Sequence, residues 1–263
     1  MTSVGFIGAG NMGAALIRGW SGEQGLRLQA YDPDQTRLEA LARDTGLHIL
    51  DSPLQVVRNS DYVLLAVKPD LTCEILRDTA SAFGPGQVLI SIAAGVKLRL
   101  LQEAIEEACA VVRVMPNTPA LAGAGVFAIC AEDPALASDK KDLLLQLFAK
   151  LGRVHQIPEK NMDAFTALIG SGPAYVFYFL QSLIQAGVTQ GLPREQALDM
   201  VLGLVQGSVR MAEESQEPLG VLLEQVCSPA GTTIEGVNHL ERRAVRAAIM
   251  DAVHAACERS RQL

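Results

Sequence analysis

The five cysteines, Cys73, Cys109, Cys130, Cys227 and Cys257, include no CxxC pair and no spacing that suggests a zinc site. They read as reduced, mostly buried thiols, and no metal is expected. Long blocks of one charge are also missing. A net charge of -7 spread along the chain argues against binding to a polyanion through bulk electrostatics and leaves room only for a local basic pocket, so nucleic acid is not an expected partner. Purely apolar runs such as 174–180 are too short to span a bilayer, so no membrane partner is expected. Met1 leads straight into a strand-like run, without the charged region and apolar core of a signal peptide, and a cytoplasmic location is expected. No fixed-period repeat is evident.

What the chain does have is apolar substance: 263 residues, 49% hydrophobic and 19% charged, enough for one large domain or two smaller ones. Up to about residue 158, short apolar runs alternate with segments of helical period, the pattern of βα units around a mainly parallel sheet. The strand candidates are 4–7, 28–31, 62–67, 88–92, 111–114, 126–130 and 154–157. Between them, 12–20, 33–45 and 134–151 read as helices, the last starting after a capping Asp133 with Pro134 in its first turn. Beyond residue 158, long Leu-, Ala-, Gln- and Val-rich segments at 161–215 and 241–261 predict an all-helical half. Gly172-Pro173 is expected to start a long helix, with breaks at 191–194 and at Glu217-Pro218. The fold class expected is α/β, a doubly wound mainly parallel sheet over 1–158 followed by a helical domain over 159–263. Small residues (Ala244, Ala247, Ala248, Ala252, Ala255, Ala256) keep the last helix thin. A module of about a hundred residues with faces this apolar cannot bury them alone, which predicts a homodimer or a higher oligomer built from dimers.

The segment 4–15 places G-x-G-x-x-G between the first strand and the first helix. Gly8 permits the tight turn, Gly10 lets a pyrophosphate approach the backbone, and Gly13 lets the helix pack on its strand. Asn11 and Met12 open that helix, where free N–H groups face the anion. A dinucleotide is the expected cofactor, NADPH or NADH. The cues for choosing between them conflict: Asp32 lies near the ribose-binding acidic position of NAD(H) sites, whereas Arg37 suits a 2′-phosphate and reads equally well as a solvated residue. Two more strand ends point to the same crevice. Backbone at Ala66, Val67, Lys68 and Pro69 is expected to border the nicotinamide ribose, and the proline-stiffened loop 114–120, with Asn117, to wall the pocket.

Six segments in order resemble the pyrroline-5-carboxylate reductases: "FIGAGNMGAALIRG" at 6–19, "LLAVKP" at 64–69, "SIAAGV" at 91–96, "VMPNTPAL" at 114–121, "GSGPAYVF" at 170–177 and "SPAGTTIEG" at 228–236. The resemblance implies a Rossmann domain with a helical dimerisation domain, and reduction of the cyclic imine L-1-pyrroline-5-carboxylate to L-proline by NAD(P)H, the last step of proline synthesis. It adds Ala93 to the cofactor-binding set. In "SPAGTT", Ser228, Gly231, Thr232 and Thr233 are expected to hold the substrate: a turn leads into a helix N-terminus whose free N–H groups suit a carboxylate. Thr233 matches the family's threonine at the ring nitrogen. A hydroxyl is a poor acid at neutral pH, so its role is expected to be positioning, with the proton from solvent. Ser171 is a further substrate candidate, and helix capping explains the same residues equally well. His48, His155, His239 and His254 read as surface or helix residues.

Three departures stand out from the family pattern. Alanine replaces the first glycine of Pro-Gly-Gly at Ala230, whose φ is expected to be negative. Ile169 replaces a serine, and the asparagine near the adenosine ribose gives way around Ser52-Pro53. Two other readings stand beside the reductase. One is a β-hydroxyacid dehydrogenase, whose interdomain lysine would fall at Lys160 but without its asparagine, so that Lys160 reads as a solvated charge. The other is an NAD(P)-sensing protein without chemistry.

Overall fold

The computed structural model describes residues 1–262. The chain forms two compact units, Met1–Ser171 with the chain from Ala256 onward, and Gly172–Ala255. In the first, β1 (Thr2–Ile7), β2 (Leu26–Tyr31), β3 (His48–Ile49), β4 (Tyr62–Leu65), β5 (Val88–Ser91), β6 (Ala110–Met115), β7 (Gly125–Cys130) and β8 (Gly152–Gln156) make one sheet in the order β3-β2-β1-β4-β5-β6-β7-β8. Every neighbouring pair is parallel except β6 with β7. A short loop joins those two, and only an antiparallel pair can be closed so briefly.

The crossovers are helices α1 (Asn11–Trp20), α2 (Gln35–Thr45), α3 (Pro53–Arg58), α4 (Pro69–Thr79) and α5 (Leu98–Ala104), with α6 (Ser138–Ala149) between β7 and β8. Alternate residues of each strand supply two cores, as the period of two requires. Val4, Phe6, Tyr62 and Leu64 face one cluster, where Trp20 meets Phe148 edge-on with ring centroids 5.2 Å apart. Ile7, Val63 and Leu65 face the other. The Trp20 indole N–H donates to the Leu147 carbonyl at 2.8 Å, so the buried ring leaves no orphan donor. Strand order reverses between β2 and β4 on either side of β1, which opens a crevice at the carboxyl end of β1.

Two local expectations are corrected. The helix expected over 134–151 starts at Ser138. Asp133 does not cap it, because its carboxylate accepts from the Val111 and Ala135 N–H groups, each at 2.9 Å, and from the Gln102 amide at 2.8 Å. β3 escaped the pattern because two residues present no period.

The sheet ends close to the expected boundary at 158, but the compact units part at Ser171. Met162 explains the difference: it is buried with Ala128 and Cys130 of β7, which holds α7 (Met162–Phe165) and the π-type turn Thr166–Gly170 on the first unit. The second unit contains α8 (Gly172–Thr189), α9 (Arg194–Glu214), α10 (Leu219–Val226) and α11 (Thr232–Arg242), with α12 (Val245–Arg261) starting in it. The purely apolar run 174–180 lies inside a longer helical stretch, Glu159–Thr189, whose 31 residues are long and apolar enough to cross a membrane by length and composition.

Candidate functional site

The turn after β1 is fixed by backbone geometry. Gly8 adopts φ +98, and a Cβ there would lie 2.7 Å from the Ala66 carbonyl oxygen, so glycine is required on two counts. Gly13 is closed off in the same way, with the Gly8 carbonyl oxygen 2.5 Å from the place a Cβ would take. Above Gly10, by contrast, a Cβ would meet nothing within 4 Å. Gly10 is the N-cap of α1 and offers no capping side chain. The first backbone bond of the helix runs from the Ala14 N–H to the Gly10 carbonyl at 2.8 Å, and the N–H groups of Asn11, Met12 and Gly13 have no acceptor among the described residues. Open space over bare donors fits a pyrophosphate.

Asp32, at the end of β2, is buried. Its Oδ2 accepts from the Ala9 N–H at 2.6 Å and its Oδ1 from the Asp34 N–H at 2.8 Å, so it holds the glycine turn in shape. Arg37 pairs with Asp34 at 3.0 Å, both half exposed. Ser52 caps α3 by accepting from the Gln55 N–H, with Pro53 in the first turn.

Beyond the turn lies a cavity of about 290 Å³. Met12, Ala66, Val67 and Asn117 line it, and so do Ile92, Met115, Pro116, Thr118 and Gly170. Asn117 is buried, and its amide braces the wall: Oδ1 accepts from the Val126 N–H at 2.9 Å, while Nδ2 donates to the Ile169 carbonyl at 3.4 Å. Ile169 is thus used through its backbone, which its side chain does not alter. Lys68 is the exposed N-cap residue of α4 and Pro69 its first residue. Ala93 is buried in the second core, and its neighbour Ile92 takes the place on the cavity wall. Ser171 ends the π-type turn, its N–H donating to the Thr166 carbonyl at 2.9 Å. Ile92, Met115, Thr118 and Gly170 are not singled out by the sequence, although all four lie inside the motifs quoted from it.

The second unit contains the other motif. The Gly231 N–H donates to the Ser228 carbonyl at 3.0 Å, closing a tight turn. A Cβ on Gly231 would collide with the Ser228 hydroxyl. Gly231 is the N-cap of α11 and supplies no capping side chain. The N–H groups of Thr232, Thr233 and Ile234 have no acceptor among the described residues, as expected for a first helical turn left open. Thr233 is partly buried, whereas Ser228 and Thr232 are exposed. Ala230 corrects an expectation: its φ is +56, not negative. The turn keeps the left-handed shape that glycine would take freely, because Gly231 and Ser228 close it around whatever residue stands there. All four histidines are exposed.

A model described as "Pyrroline-5-carboxylate reductase dimerisation" matches residues 159–263, and one described as "NADP oxidoreductase coenzyme F420-dependent" matches 3–95. The pyrroline-5-carboxylate reductase of Methanosarcina acetivorans is 38% identical over 99% of this chain and 97% of its own length. The chain belongs to the pyrroline-5-carboxylate reductase family. Its relative from Escherichia coli is 35% identical over 99% of the chain and 97% of its own length. Among solved structures, the Plasmodium falciparum pyrroline carboxylate reductase with NADP bound superposes with a TM-score of 0.90 at 36% identity, covering 99% of this chain and 97% of its own.

Within the pyrroline-5-carboxylate reductase fold, the structure gathers Gly8, Gly10, Asn11, Met12, Asp32, Ala66, Val67 and Asn117 in and around one crevice of the first unit. Ser228, Gly231, Thr232 and Thr233 form a separate open helix N-terminus on the second. Likeness to a 3-hydroxyisobutyrate dehydrogenase of Mycobacterium tuberculosis, at 16% identity and a TM-score of 0.58, reflects the shared fold alone.

Proposed function

We propose that this chain reduces L-1-pyrroline-5-carboxylate to L-proline with NADPH or NADH, in the cytoplasm, as the last step of proline biosynthesis. The observation that supports it most is the open N-terminus of α11: three free N–H groups beside Thr233, in a family whose members are named for this reaction. When bound, the dihydronicotinamide supplies a hydride to the imine carbon. Gly8, Gly10, Asn11 and Met12 hold the pyrophosphate, Asp32 shapes their turn, and Ala66, Val67, Lys68, Pro69, Ala93 and Asn117 border the nicotinamide end. Ser228, Gly231 and Thr232 cradle the substrate carboxylate, with Ser171 as a further contact. Thr233 hydrogen-bonds the ring nitrogen and orients it, and the proton comes from solvent. Residues 1–158 act as the dinucleotide-binding domain and 159–263 as the helical domain for dimerisation and substrate. The partner in the reaction is a small-molecule substrate, and the working form is a homodimer or an assembly of dimers.

The test is loss of reduced nicotinamide absorbance on adding pyrroline-5-carboxylate to the purified protein. No substrate-dependent loss with either cofactor overturns the proposal. In Thr233→Ala, kcat/KM for the imine should fall about 10- to 100-fold, the worth of a hydrogen bond to a charged group, with cofactor affinity unchanged. Unaltered kcat/KM would remove Thr233 from the site.

A further inference from the structure

A second cavity, of about 320 Å³, lies in the first unit and touches none of the residues assigned above. Its walls come from four places: Lys97 in the loop before α5, Arg113 on β6, Lys160 and Asp163 in the segment after β8, and Arg261 at the end of α12. Four cations line it against two carboxylates, Glu159 and Asp163. Both carboxylates are already engaged. Glu159 Oε1 accepts from Arg113 Nη1 and from the Leu98 N–H, each at 2.5 Å, and Asp163 accepts from the buried Ser260 hydroxyl at 2.8 Å. Arg261 is paired outside the cavity with Glu258 at 2.5 Å. Lys97 and Lys160 have no ion-pair partner among the described residues.

Arg113 decides the reading. Its side chain is 7% exposed, and its single described bond uses Nη1. Among the described residues no buried side-chain nitrogen or oxygen sealed from solvent lacks a partner. The remaining guanidinium donors therefore keep their access to solvent, and for a side chain this buried the space available is the cavity. Glu159 balances the charge of Arg113, but the unused guanidinium donors, beside two lysines with no ion-pair partner among the described residues, leave an excess of positive charge and hydrogen-bond donors that suits a further anion.

We propose that this cavity is a binding site for a small multivalent oxyanion of the phosphate class, held by Arg113 with Lys97 and Lys160. The anion neutralises the excess charge and ties β6, through Arg113, to the segment after β8. Lys160, which the sequence presents as a solvated charge, thereby gains a ligand.

The experiment is thermal unfolding of the full-length protein in inorganic phosphate, at an ionic strength held constant with potassium chloride. At ten times the half-saturating concentration the wild-type midpoint should rise by about 2–5 °C. In the Lys97→Ala/Lys160→Ala double variant, both exposed positions, the midpoint without phosphate should match the wild type, and the phosphate-dependent rise should fall to less than half. An equal rise in both proteins would assign phosphate to another place, such as the glycine turn, and would overturn the proposal, as would no rise in the wild type. Selenate soaked into crystals gives the direct check. Anomalous density beside Arg113 is expected, and density confined to the glycine turn would refute the site.

Discussion

At φ +56, Ala230 brings its Cβ close to the following carbonyl oxygen, a conformation that costs an L-residue about 1–2 kcal/mol. Glycine at the same place would remove that strain but lose about 0.5–1 kcal/mol through its freer unfolded chain. Strain is the larger of the two. Ala230→Gly is therefore expected to raise the unfolding midpoint by about 1–4 °C without moving Gly231 or Thr233, and a lowered midpoint in calorimetry would contradict the strain. Cys109 and Cys130 are predictable in another way. Burial pushes the Cys109 thiol up to about 12 and Cys130 to about 11, aided at Cys130 by the Glu132 carboxylate. Both thiols stay protonated in the folded protein, while the unfolded chain ionises them near pH 8.5. Their raised values contribute stability below about pH 8.5, and that contribution is lost as pH rises towards the folded values. Alkylation at pH 8 followed by mass mapping should leave both unlabelled in the native protein and label both in denaturant. Native labelling of either would show that its burial is intermittent.

Elements place these residues, and the turn between β1 and α1 depends on the residue that follows β2. Asp32 accepts the N–H groups of buried Ala9 and exposed Asp34, so Asp32→Ala leaves the Ala9 donor buried without its partner, at a cost of about 1–3 kcal/mol. The expected result is a lower unfolding midpoint together with a raised KM for both NADH and NADPH. An unchanged KM for both would make the carboxylate irrelevant to the turn. How far the sequence discloses such arrangements depends on how local the cause is. Glycines at Gly8, Gly10 and Gly13 announce their turn because the spacing is itself the geometry, and the period-two strands announce the two-faced sheet. Asp133 shows the opposite case: it has the form of a helix cap, yet Val111, Ala135 and Gln102 take its oxygens. The left-handed turn at Ala230 and the cavity beside Arg113 are likewise set by residues distant in sequence or by closure of the loop. Side-chain chemistry alone does not encode them.

At the scale of the molecule, the second unit leaves a debt of apolar surface. Helix α8 buries only Ile184 yet exposes Val176, Phe177, Tyr178 and Phe179 in succession, with Tyr178 at 76%. Such a helix, apolar on every side, is found inside a larger core or a membrane. Length and composition allow a bilayer, but the dimerisation model over 159–263 favours a second copy. Burial of each large side chain contributes about 1.5–3 kcal/mol, so a few of these residues suffice for an association that persists at micromolar concentration. Sedimentation equilibrium should give twice the 28.0 kDa chain mass or a multiple of that dimer, without detergent. In Phe177→Asp/Met250→Asp, two exposed positions of the second unit, a charge within a desolvated contact should shift the mass towards the monomer. A wild-type protein that sediments as a monomer, or that needs detergent to stay dispersed, would refute the dimer. If the variant kept the wild-type mass, these two residues would lie outside the contact.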